Sequence, residues 1–358
     1  MSLAGQSLVY TRDELLSDIS YDEPLIAGGV RCHGGFTSEG EYRSPRTLHR
    51  APAILAWQAR LERDGHGLIE IDRALMPPQY PNFEQSKLLL REGVRDPIVR
   101  ALTIISIVEG FGAIIRDVKV PDLALSLVDP IDGTALAHLR EGLFEAHARD
   151  EAGHRDQGGH KQMWEAARDL ALENPKIPPD VLMRLMGRRQ QRGERRRIAP
   201  ELDEDLERML TTMVSVLIIE VFADGTFAWG TTLLGDAEVS AEPERAGAMV
   251  GYIRRDESPH VEYLRTALSE VRARTLRTVD GKTVPGRDIV DRMLHASLSQ
   301  MTRSRPQEQR DETRKSLEQA LTAASNPKAV LEQFESLGSS WSAPALTGFE
   351  PVDGESAA

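Results

Sequence analysis

The sequence predicts an all-α protein built around a four-helix bundle, with further helices at both ends. Three observations lead there. The motif Asp-Glu-x-x-His occurs twice, at Asp150-Glu151-Ala152-Gly153-His154 and at Asp256-Glu257-Ser258-Pro259-His260. Each copy follows an apolar run with one glutamate in its middle, Glu109 in ALTIISIVEGFGAII and Glu220 in TTMVSVLIIEVFA. Apolar residues in all four segments recur at helical spacing.

In the first helix Ile98, Leu102, Ile105, Glu109 and Gly112 follow one another at steps of four and three, and Asp96-Pro97 supplies an N-cap and a first-turn proline. The second helix runs from about Asp132-Gly133-Thr134 to Gly158-Gly159, with a stripe of Leu136, Leu139, Leu143, His147, Glu151 and His154. The third carries Leu206, Met209, Met213, Val216, Glu220, Ala223 and Phe227, with Asp224-Gly225 as a point of distortion. The fourth carries Ala246, Met249, Ile253, Glu257, His260 and Leu264, and Pro259 should kink it. Every candidate ligand lies on an apolar stripe. A carboxylate buried there is costly unless it is paired or bound to metal.

This divides the chain into an N-terminal extension (1–95), a bundle (96–275), C-terminal helices (276–336) and a mobile tail (337–358). The bundle has halves 96–159 and 200–275, which share Arg-Asp-Glu-x-x-His as a weak internal repeat. The extension has turns at Gly28-Gly29 and Gly34-Gly35 and a helix over Ala51–Arg63, and a turn at Asp280-Gly281 opens the C-terminal part. Between the halves, RLMGRRQQRGERRR reads as a solvated basic linker or, alternatively, a dock for an acidic redox partner.

With 358 residues, 40% of them hydrophobic, the chain can bury a large core. The formal charge of −12 argues against nucleic-acid binding, no apolar run reads as a membrane span, and MSLAGQSLVYTRDELL lacks a signal-peptide pattern. A lone cysteine, Cys32, excludes an intrachain disulfide. The expectation is a cytoplasmic protein with neither nucleic-acid nor membrane partner.

Glu and His three apart on a helix are separated by roughly 60° and one turn, so both can reach one ion. Two such pairs and two single glutamates give four carboxylates and two imidazoles, which balance two divalent cations. Oxygen-rich ligation with imidazole suits iron or manganese, and without thiolate a structural zinc site is disfavoured. Asp150 and Asp256 are placed to accept an N–H from a ligand histidine on the opposite motif. His147, one turn before Glu151, is either a third histidine ligand or a core histidine; His138 and His160 fall off the stripe and read as ordinary polar residues. Gly112 and Ala223, three after the single glutamates, leave space for dioxygen or substrate. Asp224, one turn after Glu220, is either a proton shuttle or part of an Asp-Gly turn.

Arg149-Asp150-Glu151-Ala152-Gly153-His154 resembles the motif of ferritin-like diiron carboxylate proteins. These include bacterial multicomponent monooxygenases, acyl-carrier-protein desaturases, the radical-generating subunit of ribonucleotide reductase and arylamine N-oxygenases. The resemblance covers roughly residues 98–275. It implies a ferritin-like bundle with Glu109, Glu151, His154, Glu220, Glu257 and His260 as ligands to two irons, or to one manganese and one iron. It further implies an O2-dependent oxidoreductase that hydroxylates, N-oxygenates, desaturates or cleaves a small organic substrate. An external donor, a reductase or ferredoxin, would supply electrons, and a homodimer is compatible with the family. Arylamine N-oxygenases have an extra histidine at the spacing of His147, but in their second half, where this chain has Ile253. Ala113 stands where the reductase subunits have their radical tyrosine, which argues against a stored tyrosyl radical, and it adds to the space beside the ions. A Mn/Fe or radical-forming protein and a ferroxidase are the alternatives.

Overall fold

The N-terminal region holds strands that the turn signals alone did not announce. In a computed structural model describing residues 7–181, 197–322, 326–338, 340, 344–346 and 349, β1 (Glu23–Ala27), β2 (Val30–Phe36) and β3 (Tyr42–Arg43) form an antiparallel sheet in that order. The short α1 (Arg12–Leu15) precedes it, and α2 (Arg50–Arg63) occupies the stretch where a helix was expected. After α3 (Phe83–Arg91), capped by Asn82, comes α4 (Asp96–Gly112), which tightens into a 3-10 turn through Asp117. Pro97 sits in the first turn of α4, but Asp96 is inside the helix and Arg95 is its cap.

The second predicted helix is in pieces. α5 (Leu123–Ser126) and α6 (Ala135–His138) lead through a π turn over Leu139–Leu143 into α7 (Phe144–Ala152). α7 stops at Gly153, whose φ of 81° is left-handed, and the chain loops to Gly159 before α8 (His160–Leu172) begins. Gly158-Gly159 therefore precedes a helix rather than ending one. Residues 160–172 are no linker: Met163, Trp164, Ala167 and Leu172 are buried there. The basic stretch, apart from Arg197, and most of the predicted tail lie outside the described residues.

α9 (Glu204–Leu234) runs unbroken through Asp224-Gly225, so that pair makes no turn. The fourth predicted helix is interrupted at Glu257, giving α10 (Pro243–Asp256) and α11 (Ser258–Arg272). Pro259 lies in the first turn of α11, the one helical position that needs no N–H from it. A hairpin of β4 (Thr275–Arg277) and β5 (Thr283–Pro285) turns at Gly281, followed by α12 (Gly286–Ser299), α13 (Arg305–Leu321) and α14 (Pro327–Ser336).

α4 packs against α7 and α8, α8 against α10, and α9 against α10 and α11. The apolar side chains form two cores. One contains Phe144 of α7, Met213 of α9 and Leu264 of α11. The other contains Leu102 of α4, Trp164 of α8, Phe227 of α9 and Val250 of α10. Both helix breaks, at 153–159 and at 257, lie where the chain passes from one core to the other. Glu109 and Glu220 occupy the same level on α4 and α9.

Asp96–Asp117 and Glu204–Leu234 are long and apolar enough to cross a membrane by length and composition, where the sequence reading found no such run. Ile104, Val108, Phe111 and Ile114 stay exposed along the first of them.

Candidate metal centre

Two overlapping groups of ligand-type side chains meet between the cores. His147, Glu151, Glu220 and His260 form one, and Glu109, Glu151, His160 and Glu257 the other, with ligand atoms in each lying within 4.8 Å of one another. Glu151 belongs to both. Its Oε1 is 3.2 Å from His160 Nδ1 and 3.1 Å from His260 Nδ1. Glu257 also lies between the two rings, Oε1 2.9 Å from His160 Nδ1 and Oε2 2.7 Å from His260 Nδ1.

Six of the seven ligand candidates named from sequence converge, and one does not. His154 lies past the end of α7, pairs its backbone with Gln157 and keeps its side chain only half-buried. His160, dismissed as off the stripe, takes the place expected for His154. The physical reason is the loop. Once Gly153 ends α7, helical phase no longer relates Glu151 to the residues beyond the break, and α8 starts afresh at His160. The loop is built from close contacts: a Cβ on Gly159 would meet the Asp150 carbonyl at 2.3 Å, and one on Gly153 the Gln157 carbonyl at 2.3 Å. The N-terminal sheet pins it, since His33 N–H donates to the Gly158 carbonyl and Gly158 N–H to that of Arg31. Gly158-Gly159 directly before a histidine was the available signal.

His147 enters the site. Its ring stacks on His260 with centroids 4.0 Å apart, its Nε2 lies 3.4 Å from Glu220 Oε1, and its Nδ1 is 3.3 Å from the Tyr263 hydroxyl. His147 Nε2 and Glu257 Oε1 are buried yet make no hydrogen bond, and both are aimed at the cluster. His138 is a hydrogen-bonded core residue, its ring between the Thr134 carbonyl and Tyr10 N–H.

Behind the histidines stand the two aspartates, Asp150 within hydrogen-bond reach of His260 on the opposite motif and Asp256 facing His160, which lies outside both motifs. His260 Nε2 is 2.9 Å from Asp150 Oδ2, and His160 Nε2 is 3.6 Å from Asp256 Oδ2. Their own partners differ, and no sequence pattern marked those partners. Asp150 accepts from Arg46 and, at 2.7 Å, from Arg50, both buried. Asp256 accepts from the Tyr42 hydroxyl at 2.6 Å.

Burial and Glu151 push Glu109 up to about 8, and burial and Glu257 push Glu220 well above the carboxylate range. Burial opposes charge on His160 and His260, yet the Glu257 carboxylate, with Glu151 or Asp150, raises both well above ordinary histidine. Burial alone would raise Glu151, but His160 and His260 hold it at about 2. Burial and His260 keep His147 neutral. Glu109 and Glu220 are thus pushed towards the neutral form and His160 and His260 towards the charged form, and both shifts reduce the net charge of the buried carboxylates.

The space expected at Gly112, Ala113 and Ala223 is not open. A Cβ on Gly112 would meet Glu151 Cγ at 2.5 Å, so this glycine makes room for the shared carboxylate rather than for dioxygen. Ala113 is buried in the first core, and Ala223 packs on the second. The cavity lies elsewhere, about 280 Å³ between residues 69–73, α9 and the α10–α11 junction, and Glu220 and Glu257 form part of its wall. Ile71, Leu217, Val221 and Val261 give it apolar sides. Asp224 stands at its rim, bound to Arg254 at 2.7 Å and to Arg73 at 3.3 Å, a pairing that ties down the carboxylate expected to shuttle protons. In comparisons with known proteins, the chain matches no family model, no curated protein and no solved structure.

Proposed function

We propose that this chain is a non-heme diiron oxygenase or oxidase of ferritin-like four-helix architecture, acting on a small organic substrate. The observation that carries this reading is the pair of overlapping ligand groups that share Glu151 and offer only oxygen and imidazole donors. In this reading Glu109 and His160 hold one ion and His147, Glu220 and His260 the other, with Glu151 and Glu257 between them. The orphaned His147 Nε2 and Glu257 Oε1 fit such ions. Charge fits too, because two divalent cations balance the four carboxylates Glu109, Glu151, Glu220 and Glu257 and would displace the protons that the cluster otherwise holds. The bundle reading rests on four helical columns, α4, α7 with α8, α9, and α10 with α11, each contributing to the site.

A metal pair of this kind supplies the reduction of dioxygen, with electrons from an external donor. The chain's own residues do the rest. Asp150 accepts a proton-bearing Nε2 from His260, and Asp256 faces that of His160, so both rings present Nδ1 to the cluster. Tyr263 offers an acceptor to His147 Nδ1, which leaves Nε2 free to ligate. The cavity would place a substrate of modest size against Glu220 and Glu257, with Ile71, Leu217, Val221 and Val261 as apolar contacts within a largely charged lining. The test is elemental analysis after anaerobic ferrous loading, followed by oxygen uptake. Close to two metals per chain and substrate-dependent oxygen uptake are expected. A folded protein with no bound metal overturns the reading, and multi-turnover iron mineralisation moves it to iron handling.

A second reading, a Mn/Fe or diiron radical-forming protein, draws on Tyr263. Continuous helical phase put this residue off the ligand stripe. It follows His260 by three residues on α11, and its hydroxyl, on a buried side chain, lies 3.3 Å from His147 Nδ1. A long-lived tyrosyl signal by electron paramagnetic resonance, lost in Tyr263→Phe, would move the assignment there.

A further inference from the structure

The two candidate ion positions differ in their terminal ligands and, more sharply, in what stands behind their histidines. Glu151 and Glu257 lie between them, so each position is set apart by its terminal ligands and by what stands behind its histidine. Behind His260, Asp150 is held by two buried guanidiniums, Arg46 and Arg50, which leaves one net positive charge in the protein interior. Arg46 also reaches His33 Nδ1 at 3.1 Å, and Arg50 the Pro45 carbonyl at 3.2 Å, so both are fixed in place. Behind His160, Asp256 accepts from the neutral Tyr42 phenol, and among the described residues no guanidinium pairs with it. Arg255 is exposed to solvent and bonds the Tyr42 carbonyl instead, so its charge is screened.

Interior charges act on a neighbouring cation with little screening. Resting on the two-metal reading above, we propose that the positions fill in order, the Glu109–His160 position first, and that Arg46 and Arg50 set this order as metal-specificity residues. The opposing influence is the extra imidazole, His147, at the second position. Imidazole favours the later divalent metals, whereas manganese gains least from it. Manganese therefore exposes the electrostatic difference most clearly, and cobalt or zinc should narrow it.

The test is anaerobic titration of chelator-stripped protein with Mn²⁺, followed by calorimetry and electron paramagnetic resonance. The first equivalent should bind at least tenfold more tightly than the second and give the spectrum of an isolated ion. Glu109→Gln should remove the tight step; His147→Ala should spare it and weaken the other. Arg46→Gln should narrow the gap by tightening the second step. Asp256→Asn, which lacks the risk of leaving a buried arginine pair disturbed, should narrow it by weakening the first. Loss of the tight step in His147→Ala, equal affinities in the wild type, or an unchanged gap in both charge variants overturns the order. Binding of no manganese, iron or cobalt at all overturns the two-metal reading itself and is read separately.

Discussion

The two copies of Asp-Glu-x-x-His are the same in letters and different in backbone. In the second copy Glu257 and His260 stay three residues apart across a proline-started helix, and both face the cluster. In the first, Gly153 turns the chain out of its helix, and the histidine that faces Glu151 comes nine residues later, from the start of α8. A motif specifies a pair of ligands only while the helix that spaces them continues. The cost of the departure is a tightly packed glycine loop, and the N-terminal sheet holds it. The first copy needs the distant N-terminal sheet to hold its loop, whereas the Glu257–His260 spacing is set within the second copy itself.

The largest expected effect tests that difference directly. His160→Ala should remove one of two bound metals and His154→Ala neither, by elemental analysis after ferrous loading. The reverse outcome would restore the equivalence of the two motif copies. Glu151→Ala should abolish binding at both positions, since it belongs to both ligand groups.

Glycine substitutions come next, because they strike the geometry that only the first copy needs. Gly112→Ala places a Cβ 2.5 Å from Glu151 Cγ, so metal retention should fall while the fold, read by thermal melting, changes little by comparison. Gly153→Ala adds a left-handed backbone, about 1–2 kcal/mol for a non-glycine residue, to a contact of 2.3 Å with the Gln157 carbonyl. It should lower the melting temperature as well as occupancy. Ser258→Ala, between Glu257 and His260 in the second motif, falls on an exposed residue and should do neither.

Much of this site was legible in the sequence because buried charge on an apolar stripe is rare and costly. Glu109, Glu151, Glu220, Glu257, His260 and the facing of Asp150 towards the second motif's histidine could be read from that stripe and from spacing alone. The residues that escaped depended on where helices break. A single phase carried through Gly153 kept His154 and dropped His160. Arg46, Arg50 and Tyr42 escaped for another reason: no local pattern ties N-terminal residues to an aspartate a hundred or more residues away. The small residues misled because a missing Cβ marks close approach as readily as open space, and at Gly112 the approaching group is Glu151.

The proton balance gives a pH-dependent test that applies to both copies together. Glu109, raised to about 8, and Glu220, His160 and His260, all raised, carry protons at neutral pH that a metal must displace. Raising the pH removes these competitors, so metal affinity should climb from pH 6 towards pH 9. Loading in weak buffer at neutral pH should acidify the solution by up to four protons per metal pair. Loading without proton release would mean that the cluster is not the site of binding.

A second contrast, between two aspartates that each hold two arginines, ends in the smallest effect, at Asp224. Asp150 and its partners Arg46 and Arg50 are fully enclosed, whereas Arg73 and Arg254 on Asp224 are 75% and 45% exposed at the cavity rim. Removing one partner from a buried pair leaves uncompensated charge, about 3–5 kcal/mol, whereas an exposed pair contributes about 0–1 kcal/mol. Asp150→Asn should therefore unfold or severely destabilise the protein, while Asp224→Asn should leave its melting temperature nearly unchanged. Asp224→Asn should also leave metal stoichiometry at its wild-type value, because its carboxylate is in neither ligand group. Its effect should appear instead in substrate affinity, as a raised KM with little change in kcat, because Arg73 and Arg254 would no longer be held across the mouth of the cavity. A fall in kcat with an unchanged KM would return Asp224 to the proton-transfer role that its position one turn after Glu220 first suggested.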